Sequence, residues 1–247
     1  MRTESEPRVQ APLPYSGPRL PMCPPPAHSD QEALEALRVR ASRARERGDR
    51  VAGDKHLEQN LESLLREGNQ IWETFIEARG GTFHHLIPAD AEGAYRQLRQ
   101  LRDRHHTFLE LGSGMGVITI LADLLGFEAH GIEIEEGLVD LSRDLAERHG
   151  SSASFTQGSF VPAGHRDEVH LLDGECHTIA EGPDAYGEVG MELSDFDLVY
   201  AYPWPGEEEW LADLFQRAGG GHAQLLTYSV SEGYSLSGPF GDTDPDW

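Results

Sequence analysis

Between Phe108 and Gly150 the chain reads FLELGSGMGVITILADLLGFEAHGIEIEEGLVDLSRDLAERHG, and no other stretch limits the fold as closely. An apolar strand runs into Glu110-Leu111-Gly112-Ser113-Gly114-Met115-Gly116, a helical pattern follows, and a second apolar run and an amphipathic helix come after it. Glycines without a β-carbon let the backbone turn tightly and let a ligand lie against it. The helix that starts there offers free N–H groups to whatever occupies the turn.

The same rhythm continues. Strands are predicted at 106–111, 128–134, 152–157, 196–202 and 223–230, with helices at 116–125, 137–149 and 207–218. A further helix opened by Pro88 runs through Ala91, Tyr95, Leu98 and Leu101. Strand–helix alternation of this kind predicts an α/β fold with a doubly wound, mostly parallel sheet. The acidic stretch 162–194 breaks the pattern where a crossover helix belongs, so it holds either a poorly patterned helix or an insertion on the ligand side. After the fifth strand, 231–247 has room for one short strand and scarcely two, so the C-terminal strand pair is expected to be reduced.

Three regions are expected. Residues 1–28 are rich in proline and read as a disordered or polyproline-like tail. Residues 29–82 form a helical extension. Ser29 and Glu32 have capping-box spacing, and Leu34, Leu37, Ala41 and Ala44 follow up to Gly48 and Gly53. A second helix carries Leu57, Leu61, Leu64, Leu65, Ile71, Trp72, Phe75 and Ile76 on one stripe, with Gly68 as its weak point and Gly80-Gly81 as its end. Such stripes pack either on the following domain, as a lid or side wall, or on a second copy in a homodimer. Residues 83–247 make up the third region, with 162–194 as its insertion.

Charge narrows the partners. The net charge is −23, and all of it falls in 105–247, where 4 basic side chains face 27 acidic ones; residues 1–104 balance at 16 of each. A field of that sign repels phosphate backbones, so no nucleic acid is expected as a partner, and a cationic or neutral substrate is favoured. No apolar run approaches the roughly 18–20 residues of a membrane span, so no membrane association is expected. Cys23 and Cys176 are far apart and outside metal-ligand spacing, which fits a reduced, cytoplasmic protein. The pairs His84-His85 and His105-His106 lack the spacing of a metal site, and none is predicted.

In the turn itself, the dinucleotide fingerprint G-x-G-x-x-G would require glycine at 117, which is Val117. The residues present form E-x-G-x-G-x-G from Glu110 to Gly116, which resembles motif I of the class I, Rossmann-like S-adenosylmethionine-dependent methyltransferases. Glu133 ends the second strand, where a carboxylate can accept charge-assisted hydrogen bonds from ribose hydroxyls. The resemblance covers roughly residues 83–230. It implies S-adenosylmethionine as cofactor, with Glu110, Gly112, Ser113, Gly114 and Gly116 around its amino-acid end, Glu133 on the ribose and Ile134 against the adenine. Ser159 stands where the family has an acidic residue facing the adenine amine, beside Phe160. Tyr200 lies on the fourth strand, next to the cofactor.

In doubly wound sheets ligands bind at the carboxyl ends of strands near the switch point, so the acceptor is expected at the end of the fourth strand. There the chain has Tyr202-Pro203-Trp204-Pro205, unlike the Asn/Asp-Pro-Pro-aromatic tetrad of amine-methylating relatives. Tyr202 and Trp204 are the residues expected to meet the acceptor, with π contacts to a cation worth ~0.5–2 kcal/mol. The resemblance implies a methyltransferase acting on a small-molecule or protein amine. Two alternatives stay open: a cofactor-binding scaffold without activity, and a nicotinamide-dependent enzyme.

Overall fold

The computed structural model describes residues 50–78, 89–169 and 177–238. The proline-rich tail, the helix expected from Ser29, His84-His85, Cys23 and Cys176 lie outside the described residues. Six strands form one sheet: β1 (Thr107–Leu111), β2 (Glu128–Glu133), β3 (Ser154–Gln157), β4 (Leu198–Ala201), β5 (Gln224–Ser229) and β6 (Gly233–Ser237). Their order is β3-β2-β1-β4-β5-β6. The first five are parallel and β6 returns antiparallel to β5. This is the expected doubly wound sheet, closed by the one short strand for which the sequence had room. The chain steps outward from β1 to β3 and then recrosses to β4, so the switch point lies between β1 and β4. Asp197 pins that junction, accepting from the N–H groups of His106 at 2.7 Å and Thr107 at 3.0 Å.

Alternation along β1 divides the core. Phe108 faces a cluster shared with α1 (Arg50–Ala78), α2 (Ala91–Leu101), α3 (Val117–Leu125) and α4 (Glu136–Arg148). Leu109 and Leu111 face the other cluster. The stripe of α1 buries Leu64 and Ile71 against this chain's own α3 and α4. Glu67 fastens the contact through Arg148 and through His149 Nε2 at 2.8 Å.

Gly53, expected at a helix end, and Gly68, expected as a weak point, do not interrupt the helix. Gly53 and Gly68 both lie inside α1, which is continuous over 29 residues. A glycine costs about 1 kcal/mol against alanine in a helix interior, and the buried stripe outweighs that. At Gly68 a β-carbon would fall 2.7 Å from Val117 Cγ2, so this residue lets α1 cross α3 closely. Similarly, α2 starts at Ala91 and not at Pro88, because the Asp90 side chain accepts from Gly93 N at 2.9 Å and sets the cap.

Among the described residues of 162–194 there is no single crossover helix. The described parts of this crossover make single turns, among them α5 (Arg166–Val169) and α6 (Ala185–Val189). They supply Val169, Ala180, Ala185, Tyr186 and Leu193 to the second core, beside Val161 just before them and against Leu211, Leu214 and Phe215 of α7 (Glu208–Ala218). Helices of four and five residues are too short to show a 3.6-residue period. His105 is structural: its ring bridges Leu101 O at 3.0 Å and Gln224 Oε1 at 2.9 Å. Among the described residues no helix is long and apolar enough to cross a membrane.

Candidate functional site

The strand register brings the site together. Leu111 stands opposite Ile132 on one side and Ala201 on the other. Glu133 pairs with Gln157, Ala201 with Thr227, and Tyr228 with Tyr234. The next step along each strand therefore aligns Gln157, Glu133, Gly112, Tyr202, Tyr228 and Tyr234 across the carboxyl edge of the sheet. One half of this rung carries a carboxylate and the glycine turn; the other half carries three phenols.

The turn has the backbone its sequence demands. Gly112, Gly114 and Gly116 have φ of 75°, 53° and 73°, in the left-handed region that side chains disfavour. Their surroundings differ. A β-carbon on Gly116 would strike the Phe155 ring at 2.4 Å, whereas one on Gly112 would meet nothing within 4 Å. Gly116 is required by packing; Gly112 leaves open space beside the end of β1. The hydroxyl of Ser113 is buried, has no hydrogen-bond partner among the described residues, and lies against Gly131. Ser142 braces the turn by donating to Gly114 O at 3.0 Å.

Two carboxylates flank the turn, both nearly buried. Glu133 Oε2 accepts from Gly114 N at 2.8 Å and Oε1 from Glu135 N at 3.0 Å. Burial raises its pKa, and those N–H groups oppose the shift. Glu110 accepts from Thr119 N at 2.9 Å and from Thr119 Oγ1 at 2.5 Å, in the first turn of α3. Burial outweighs these bonds and pushes its pKa up to about 8.

Ile134 follows Glu133 at the mouth of β2 and meets Gly182, where a β-carbon would fall 2.6 Å from Ile134 Cδ1. The crossover thus reaches the end of β2. Ser159 fastens it there: its hydroxyl donates to Ile179 O at 2.8 Å and accepts from Val161 N at 3.2 Å. Phe160 O accepts from the Tyr186 hydroxyl at 2.7 Å. Both residues tie the crossover to the segment after β3.

The two acceptor candidates part company. Tyr202 meets Tyr228 edge-on at 5.1 Å, and Tyr228 meets Tyr234 at 4.8 Å. Tyr200, buried one turn of the pleat below Tyr202, lies beside the Tyr234 hydroxyl, and burial raises its pKa well above the ordinary phenol value. Trp204 stacks instead on His177 of the crossover, 4.9 Å between rings. Glu207, 4% exposed, holds that contact in place by accepting from His177 N at 2.5 Å and from Thr178 Oγ1 at 2.5 Å. The sequence reading missed Tyr228, Tyr234, His177 and Glu207. The strand-end rule applied to β5 would have found Tyr228; nothing in the run Glu207–Glu209 marks which carboxylate turns inward.

No protein-family model matches the sequence, and no curated protein matches it. Several solved structures are similar to the chain. An O-methyltransferase from Bacillus cereus in complex with SAH is 14% identical, with 68% of this chain and 65% of that one covered and a TM-score of 0.41. An RNA methyltransferase from Salinibacter ruber in complex with S-adenosyl-L-homocysteine is 17% identical, with 65% and 98% covered and a TM-score of 0.43. An SAH-bound methyltransferase from Podospora anserina is 14% identical, with 74% and 69% covered and a TM-score of 0.43. The chain spans less than two thirds of the length of the Bacillus cereus protein.

Proposed function

We propose that this chain is an S-adenosylmethionine-dependent methyltransferase whose acceptor is an amine. The observation that carries the reading is the open space at Gly112, set between two buried carboxylates at the switch point of a doubly wound sheet. Ligands of such sheets bind at this crevice. A pyrophosphate would be repelled by the Glu133 carboxylate, whereas a ligand with ribose hydroxyls suits it.

In this reading Glu133 accepts from the ribose hydroxyls with lone pairs that its bonds to Gly114 and Glu135 leave over. Ile134 and Gly182 bound the adenine side, and Phe160 belongs to the same wall. Ser113 supplies a buried hydroxyl that needs a partner, and Glu110 faces the amino-acid end through the turn. When bound, S-adenosylmethionine supplies a methyl group on a sulfonium, and the carbon–sulfur electron pair stays on sulfur as the acceptor's lone pair takes the methyl. The chain's own contribution is proximity, alignment and exclusion of water. Tyr202 sits next to Gly112 on the rung, where an acceptor nitrogen would be aligned.

The amine follows from the acidic balance of 105–247 and from the phenol faces beyond Gly112. Calorimetric titration with S-adenosylhomocysteine, with NAD in parallel, tests the cofactor. Micromolar binding of the first and none of the second is expected. Binding of NAD alone, or of neither, would remove the methyltransferase reading.

A further inference from the structure

We infer that Tyr202, Tyr228 and Tyr234 form the acceptor subsite and take an amine with an extended apolar stem, its nitrogen at Tyr202 and its stem along Tyr228 toward Tyr234. This rests on the methyltransferase reading and specifies its substrate.

The rung gives the direction. Tyr202 neighbours Gly112, and adjacent strands lie about 4.8 Å apart, so Tyr202 is the phenol nearest the cofactor turn. The centroid spacings of 5.1 and 4.8 Å make a continuous wall, not a closed cage. A wall suits an elongated ligand; a compact cation would touch one ring. Its far end is fixed, because the Tyr234 hydroxyl donates to Asp90 O at 2.5 Å and its ring lies against Gly93. At the same end of the sheet, Val230 exposes an apolar side chain in the turn joining β5 to β6.

Charge selects the sign of the ligand. All four basic residues of 105–247 are engaged away from the row. Arg143 bonds Phe155 O, Arg148 pairs with Glu67, Arg166 bonds Gly182 O, and Arg217 pairs with Glu168. Arg99, Arg102 and Arg104 lie where α2 leads into the start of β1, at the opposite edge of the sheet. The charged group beside the row's far end, Asp90 at Tyr234, is acidic. Electron-rich ring faces also favour the positive charge that grows on nitrogen as it takes a methyl group, while the nitrogen's proton passes to solvent.

The test uses the full chain with radiolabelled S-adenosylmethionine and matched acceptors: propylamine, hexylamine, hexanoate, phenol and a lysine-containing peptide. Transfer to hexylamine or to the peptide lysine is expected, at least about tenfold better in kcat/KM than to propylamine, with none to hexanoate or phenol. The two productive arms distinguish a free alkylamine from a lysine side chain. Tyr228→Ala should raise KM roughly three- to thirtyfold with S-adenosylhomocysteine affinity unchanged, and Tyr228→Phe should stay near wild type. Transfer to phenol or hexanoate, no gain with stem length, or an unaltered KM in Tyr228→Ala would overturn the subsite. If S-adenosylhomocysteine binds and no amine is methylated, the subsite alone fails; if it does not bind, the underlying reading fails with it.

Discussion

Replacing Gly112 and Gly116 in turn with alanine separates two reasons for a glycine. Both have φ in the left-handed region, 75° and 73°, where a β-carbon costs roughly 1–2 kcal/mol. At Gly112 that is the whole cost to the folded chain, because the new methyl meets nothing within 4 Å. At Gly116 the methyl would also sit 2.4 and 2.5 Å from Phe155 ring atoms and 2.9 Å from Ser142 Cβ. Overpacking of that kind adds about 1–3 kcal/mol, for a total of about 2–5 kcal/mol. Urea denaturation should rank Gly116→Ala below Gly112→Ala, with Gly112→Ala roughly 1–2 kcal/mol less stable than wild type. Calorimetry should give the reverse emphasis: Gly112→Ala should bind S-adenosylhomocysteine at least about tenfold more weakly, about 1.4 kcal/mol. The methyl fills the space that the ligand would use. Wild-type affinity in Gly112→Ala, or equal destabilisation by the two variants, would refute the distinction.

Other outcomes follow from the carboxylates. Glu133→Ala should weaken S-adenosylhomocysteine binding by about 1.5–3 kcal/mol, the worth of hydrogen bonds to a charged group; unchanged calorimetric affinity would remove the ribose assignment. Glu110 is held neutral by burial, with its pKa pushed from 4.5 to about 8. Below pH 4.5 both folded and unfolded chains keep its proton; between 4.5 and about 8 only the folded chain does, so stability falls as pH rises through that window. Glu110→Gln should lose less stability over the same range, and parallel melting curves for the two would contradict this. Glu207→Ala removes the carboxylate that accepts from His177 N, Thr178 N and Thr178 Oγ1, at a cost of about 1–3 kcal/mol in chemical denaturation. A change below about 0.5 kcal/mol, the size of an ordinary surface substitution, would show that the clasp does not hold the crossover.

The glycine turn and Glu133 were legible in the sequence because their constraints act on residue identity. Positive φ selects glycine, and the carboxylate that ends β2 is held beside the turn by the N–H of Gly114. Strand existence was legible too, since Leu109, Leu111, Val199 and Leu225 are buried on a sheet covered on both faces. What escaped depended on contacts distant in sequence. Tyr202 and Trp204, two residues apart, diverge to Tyr228 and to His177 because Pro203 and Pro205 end the alternation that would have paired them. Tyr228 and Tyr234 join the site only through the register of β5 with β6. Ser159, expected beside the adenine, also donates to Ile179 O, a contact with a segment twenty residues on that the sequence pattern does not mark. Gly53 and Gly68 misled because propensity is local, while the stripe of α1 draws its stability from α3 and α4.

The pairing of β1 with β4 has a kinetic consequence. Thr107 and Asp197, which bond across it, are 90 residues apart, so closing that seam in the unfolded chain costs on the order of 4 kcal/mol of loop entropy. The β1–β2 and β2–β3 pairs close far shorter loops. Until the β4 segment arrives, the central strand of the sheet has a bare hydrogen-bonding edge flanked by Leu109 and Leu111, a template for mispairing between chains during refolding. Gly112 and Tyr202 face each other across this same seam. Aggregation of a partly folded chain and assembly of a working site therefore compete for one edge, and refolding yield should fall steeply with protein concentration.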